Sequence, residues 1–218
     1  MNKTITIYTD YVCPYCLLAE HVIAEVIKDK EITIRWRPFE LRPHPVPTLR
    51  MEDSYLPDIW QSSVYPMAAR LGVPIKLPNI SPQPRTDKAF QVFAMAEEQG
   101  LGHAFTMSVM KAFFQKEKDI GDPEILADLA ADIGLERNAV LSALEEGIYS
   151  ASHLKAQRHA VEDAQISSVP TIVVGQKTFT GVPTPSELLN AIDALEQTES
   201  NTKRNNFLLK KEGQKITP

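Results

Sequence analysis

A chain of 218 residues that is 43% hydrophobic can bury a full core, as one domain or as one domain carrying a large insertion. Its net charge of -5 is mild and spread along the chain, so there is no basic footprint for nucleic acid, and no apolar run approaches the length needed to cross a membrane. The two cysteines, Cys13 and Cys16, stand close together, so no framework of structural disulfides supports the fold. Met1-Asn2-Lys3 leads directly into a strand pattern with no h-region. The expected setting is therefore cytoplasmic, where a disulfide is transient and catalytic.

Ile5 and Ile7 alternate with Thr4, Thr6 and Tyr8, which is the period of a strand. Pro14 then suits the first turn of a helix, where it needs no N–H partner, and this places Cys13 at a helix N-terminus. Unsatisfied N–H groups and the helix dipole favour an anion there, so the Cys13 thiol is expected to ionise more readily than a free cysteine and to be the attacking sulfur. Cys16 lies one turn on, close enough to close a disulfide but more shielded, as a resolving thiol would be. A Cys-x-x-Cys pair is also half of a zinc site. Zinc would need two further ligands, and the remaining candidates are His21, His44, His103, His153 and His159. The strand-to-helix context favours redox chemistry, and no metal is expected.

Leu18, Val22 and Val26 recur at helical spacing to about residue 29. Ile32, Ile34 and Trp36 then alternate with Thr33, Arg35 and Arg37 in a second strand, parallel to the first because a helix connects them. Residues 38–84 hold ten of the sixteen prolines and cannot form one regular element; a short helix is expected from about Ile59 to Leu71, ending at Gly72. His44, in this stretch, reads as a solvent-exposed loop residue.

Four helical pieces follow between Thr86 and Gly147, with stop signals at Gly100, Gly134 and Gly147 and a start at Asp122-Pro123. Their Met and Phe residues (Phe93, Met95, Phe105, Met107, Met110, Phe113, Phe114) read as core rather than as a substrate groove, and His103 as a solvated or capping residue. A helix over about 150–165 leads to Val169-Pro170 and a strand, Thr171 to Val174. Gly175 turns it into a second short strand, and Thr184-Pro185-Ser186-Glu187 forms a capping box that opens a last helix. Residues 198–218 are polar, with one apolar triplet at Phe207-Leu208-Leu209, and read as a mobile tail.

The stretches Asp10-Tyr11-Val12-Cys13-Pro14-Tyr15-Cys16, Trp36-Arg37-Pro38-Phe39-Glu40-Leu41-Arg42-Pro43, Ala68-Ala69-Arg70-Leu71-Gly72 and Val169-Pro170-Thr171 resemble the DsbA family of oxidoreductases, in particular its FrnE-type branch. The resemblance implies an α/β thioredoxin fold (β-α-β, then β-β-α) with a large all-helical insertion. The thioredoxin-like part would be residues 1–42 and 155–197, with the insertion at 43–154. It also implies that Cys13 is the nucleophile, that Cys16 resolves, that Pro170 is cis and faces Cys13, and that Val169, Pro14 and Tyr15 contact substrate. The dipeptide Pro14-Tyr15 departs from the Pro-Trp usual in that branch, and Gly181-Val182-Pro183 stands where many members have Gly-Ala-Gln.

The implied function is thiol-disulfide exchange on a protein or small-molecule thiol or disulfide, with no cofactor, no nucleic acid and no membrane partner; a homodimer is compatible with it. Two alternatives stay open. One is glutathione as co-substrate, in the manner of 2-hydroxychromene-2-carboxylate isomerases and kappa-class glutathione transferases, which the same stretches also resemble; the other is a non-enzymatic binding module. Asp10 and Glu40 fall near the cysteines and could relay a proton, although each reads more readily as a solvated surface carboxylate.

Overall fold

The computed structural model describes residues 3–195 and 197. The tail expected over 198–218 lies outside the described residues. Strand β1 (Lys3–Thr9) pairs in parallel with β2 (Ile32–Pro38), with Ile5 opposite Ile34 and Ile7 opposite Trp36. Helix α1 (Pro14–Ile27) makes the crossover. On its other side β1 pairs antiparallel with β3 (Thr171–Val174), which turns through Gly175 (φ +58°) into β4 (Lys177–Thr180). The order β2-β1-β3-β4 puts β1 inside the sheet, so the cysteine motif leaves from the end of a buried strand.

The proline-rich stretch carries α2 (Tyr55–Ile59), a π-helical turn at Trp60–Val64, and α3 (Tyr65–Leu71), closed by Gly72 at φ +68°. This helix therefore starts earlier than its apolar pattern suggests. Ser62 and Ser63 occupy the widened turn, flanked by Trp60 and Val64, which are fully buried. Helices α4 (Asp87–Glu98), α5 (Gly102–Lys116), α6 (Pro123–Ala131) and α7 (Arg137–Glu145) follow. Asp122 caps α6 by accepting from the Glu124 N–H, as its sequence predicts. Glu136 caps α7 through the N–H groups of Asn138 and Ala139, a cap that the sequence reading did not foresee.

Helix α8 (Ser150–Arg158) runs into a second π-helical turn at His159–Asp163, so the expected single helix over 150–165 changes pitch near its middle. Residues 185–195 form α9, opened by the expected capping box: Thr184 Oγ1 accepts from the Glu187 N–H at 3.3 Å, and Glu187 Oε2 accepts from the Thr184 N–H at 2.9 Å. Phe93, Phe105, Met110, Phe113 and Phe114 are buried in one core that continues into Ile5, Ile7 and Cys16. Among the described residues no helix is long and apolar enough to cross a membrane.

Candidate active site

Cys13 is the N-cap of α1, with extended backbone (φ −90°, ψ 111°) and Pro14 following at the first helical position. Its N–H donates to the Asp10 carbonyl and its own carbonyl accepts from the Cys16 N–H, both at 3.1 Å; these bonds bring the two sulfurs to one end of α1. Both thiols are free. Cys13 is 5% exposed and Cys16 is wholly covered, so Cys13 is the more accessible, but it is more enclosed than its helix-start position suggested. Burial pushes the Cys16 thiol well up, and the adjacent Cys13 sulfur adds to the effect.

Val169, in the loop just before β3, meets Cys13: the Cys13 thiol donates to its carbonyl at 3.4 Å. The Val169-Pro170 peptide bond is cis, and the Pro170 carbonyl accepts from the Gly181 N–H at 2.9 Å, which fixes the loop to the end of β4. His44-Pro45 and Ser81-Pro82 are cis as well, which the sequence reading did not anticipate. The Tyr15 hydroxyl donates to Ser63 Oγ in the π-helical turn at 2.7 Å.

The reading of Asp10 and Glu40 as solvated surface carboxylates is corrected: they are 1% and 6% exposed. Asp10 follows the buried end of β1, and its Oδ2 accepts from the Leu41 N–H at 2.8 Å. Oδ1 lacks a partner of good geometry, although the Thr86 hydroxyl and the Val12 N–H lie near enough to favour the charged carboxylate. Burial outweighs these contacts and raises the Asp10 carboxyl to about 6, with Glu40 adding a smaller push.

Glu40 Oε1 lies 2.5 Å from His153 Nε2, and His153 is itself only 3% exposed. Gln157, one helical turn after His153, accepts from the Glu40 N–H at 2.7 Å and donates to the Glu40 carbonyl at 3.2 Å. These contacts join residues more than a hundred positions apart, and only the Trp36 to Pro43 likeness marked Glu40 in advance.

His103 is neither a cap nor simply solvated: its Nδ1 accepts from Trp36 Nε1 at 3.1 Å and its ring stacks on the indole. His44 is exposed, as expected. The zinc candidates do not converge. His153 is held by Glu40 and His159 by Asp163, and among the described residues no group of three or more His, Cys, Asp or Glu is placed to hold a metal ion.

The DSBA-like thioredoxin domain matches residues 4–193. The protein YwbO of Bacillus subtilis (strain 168) is 43% identical over 182 residues, which are 83% of this chain and 91% of that protein. Two solved structures share the fold. The probable DsbA oxidoreductase SCO1869 from Streptomyces coelicolor has a TM-score of 0.72 at 18% identity, covering 89% of this chain and 90% of its own. The cytosolic disulfide reductase DsbM from Pseudomonas aeruginosa, solved with GSH, has a TM-score of 0.64 at 16% identity, covering 92% of this chain and 99% of its own. The match is to the DSBA-like domain as a whole and does not distinguish the FrnE-type branch. With Cys13 at the cap of α1, Cys16 one turn on and the cis peptide of Pro170 alongside, the site agrees with the sequence match, and the chain belongs to the DSBA-like thioredoxin domain family.

Proposed function

We propose that this protein is a thiol-disulfide oxidoreductase acting through a Cys13 mixed disulfide. The observation that carries the reading is the Cys13 sulfur at the N-terminus of α1, 3.4 Å from the Val169 carbonyl, with Cys16 wholly covered behind it. The Cys13 thiolate attacks a substrate disulfide; a Cys13–substrate S–S bond forms, the substrate S–S bond breaks, and one substrate sulfur leaves as a thiolate. Cys16 then loses its proton and attacks the Cys13 sulfur, expelling the second substrate thiolate. The protein is oxidised by two electrons and the substrate reduced by two, and the reverse sequence oxidises a dithiol. Val169 and Pro170 border the attacking sulfur, and backbone groups at such a loop suit an extended substrate whose side chains are not read. A cytoplasmic setting, where a lone cysteine pair serves catalysis rather than structure, is part of the proposal.

Glutathione as co-substrate is the second reading, supported by the GSH held in the structure of DsbM. The test is trapping. A Cys16→Ser variant mixed with a disulfide substrate should accumulate an adduct on Cys13 that mass mapping locates. A Cys13→Ser variant with undiminished exchange would overturn the proposal, and retained partner binding without turnover in the wild type would favour the binding-module alternative. Oxidised glutathione used as the only disulfide decides whether glutathione is accepted.

A further inference from the structure

Strand β4 is an edge of the sheet, and between it and α9 a groove of ≈ 900 Å³ opens, with room for several bulky side chains. One wall is formed by Glu187, Asn190, Ala191 and Ala194, which recur at helical spacing along α9, and the other by the strand itself. Phe179, Val182 and Leu195 line it too and are only partly buried, so apolar surface faces the groove. The backbone of β4 is open on the same side. Val174 stands opposite Lys177 and Ile172 opposite Phe179, and the next position of this set is marked by the Gly181 N–H donating to the Pro170 carbonyl at 2.9 Å. Bonded and non-bonded pairs alternate along an antiparallel ladder. The N–H and C=O groups of Thr178 and Thr180 are therefore turned outward, where they have no partner among the described residues.

The chain itself supplies a segment that fits. Leu195 packs on the β3–β4 turn, where a Cβ on Gly175 would come 3.0 Å from its Cδ1, so the chain passes residue 195 at one mouth of the groove. Residues 198–218 hold one apolar run, Phe207-Leu208-Leu209, and carry five Lys and Arg against two Glu, whereas the chain as a whole is acidic. Residues 198–206, fully extended, reach up to ~30 Å, and a strand of the length of β4 spans only about 13 Å. We infer that residues 206–210 dock in the groove of their own chain as a further strand on β4. Phe207 and Leu209, two positions apart, face α9 together, and the backbone between them pairs with Thr178 and Thr180. A tether this short gives the segment a millimolar effective concentration at the groove, so weak contacts suffice. The docked segment covers a sheet edge that could otherwise pair with a second copy. No group in the groove belongs to the cysteine site, so the inference is independent of the redox proposal.

Hydrogen exchange of the full chain, read by mass spectrometry, tests this. After correction for intrinsic rates, peptides spanning 177–181 and 206–210 should both exchange about tenfold more slowly than in a Phe207→Ser/Leu209→Ser double variant, the factor that ~1.4 kcal/mol represents. Thr178→Pro removes one outward N–H and leaves the bonds to β3 in place, so it should release residues 206–210 without unfolding the sheet. The protection should not change with protein concentration. Protection that weakens on dilution as a dimer dissociates would put the segment on a second copy and overturn the inference. So would unprotected amides at 206–210, exchange at 177–181 that the double variant leaves unaltered, or protection at 206–210 that survives Thr178→Pro.

Discussion

The Tyr15 hydroxyl, inside the cysteine motif, donates at 2.7 Å to Ser63, which lies in a π-helical turn 48 positions away. The pair is partly buried, so the bond should contribute about 1 kcal/mol. Tyr15→Phe and Ser63→Ala are each expected to lower stability by about that amount, and the double variant by little more than either alone, because one interaction is lost in all three. Urea midpoints for the four proteins check it; fully additive losses would show that the two side chains are not coupled.

Cys13 should be alkylated before Cys16 in the reduced protein. Cys16 has no exposed surface, and its thiol is pushed well up by burial and by the neighbouring sulfur, whereas Cys13 keeps 5% exposure at the helix cap. Brief iodoacetamide treatment followed by peptide mapping is expected to find nearly all single adducts on Cys13. Label distributed equally between the two would exclude the role assigned to each.

Asp10 makes stability depend on pH. Its folded-state value of about 6 lies above that of an unfolded aspartate, so between the two the folded protein binds the extra proton. The group therefore costs stability above pH 6, and the cost fades as pH falls through 6 towards roughly 4, where both states are protonated. For a fully buried group this amounts to on the order of 3 kcal/mol. Asp10→Asn keeps an acceptor for the Leu41 N–H and should lose this slope. Melting temperatures from pH 4 to pH 8 should thus show the asparagine variant gaining on the wild type as pH rises; parallel curves would contradict the burial of a titrating carboxyl.

Truncating either member of the Glu40–His153 pair should be costly, since the survivor stays buried without its partner. Glu40→Ala and His153→Ala are each expected to destabilise by about 3 kcal/mol or more. Replacing both by well-packed apolar residues should recover much of that loss. Denaturant unfolding of the three variants tests this, and single variants with wild-type midpoints would show that the contact contributes nothing.

The features legible in the sequence were those written in local pattern. Alternation announced β1 and β2, Pro14 placed Cys13 at the start of α1, Gly72 and the Thr184 box marked helix ends, and the parallel pairing followed from the connecting helix. The features that escaped are made by distant pairs. Nothing near Asp10 shows that Leu41 will cover it, and nothing near Glu40 shows that His153 and Gln157 will close over it. Charged residues in loops are ordinarily solvated, and that expectation fails here only because the helices after residue 86 return to the sheet. Ser63 escaped for the same reason, being an ordinary serine until the π-helical turn aims it at Tyr15.

The triple hold of α8 on Glu40, with its N–H and carbonyl on Gln157 and its carboxylate on His153, also bears on how this architecture can be recombined. The chain leaves β2 at Glu40 and α8 later returns to that point, so this junction rivets the far end of the helical run to the scaffold where the run begins. A graft that exchanges those helices with a relative's, cutting between Glu40 and Gln157 on one side only, would separate the rivets from their holes. Chimeras of this kind should keep residues 40, 153 and 157 from a single parent.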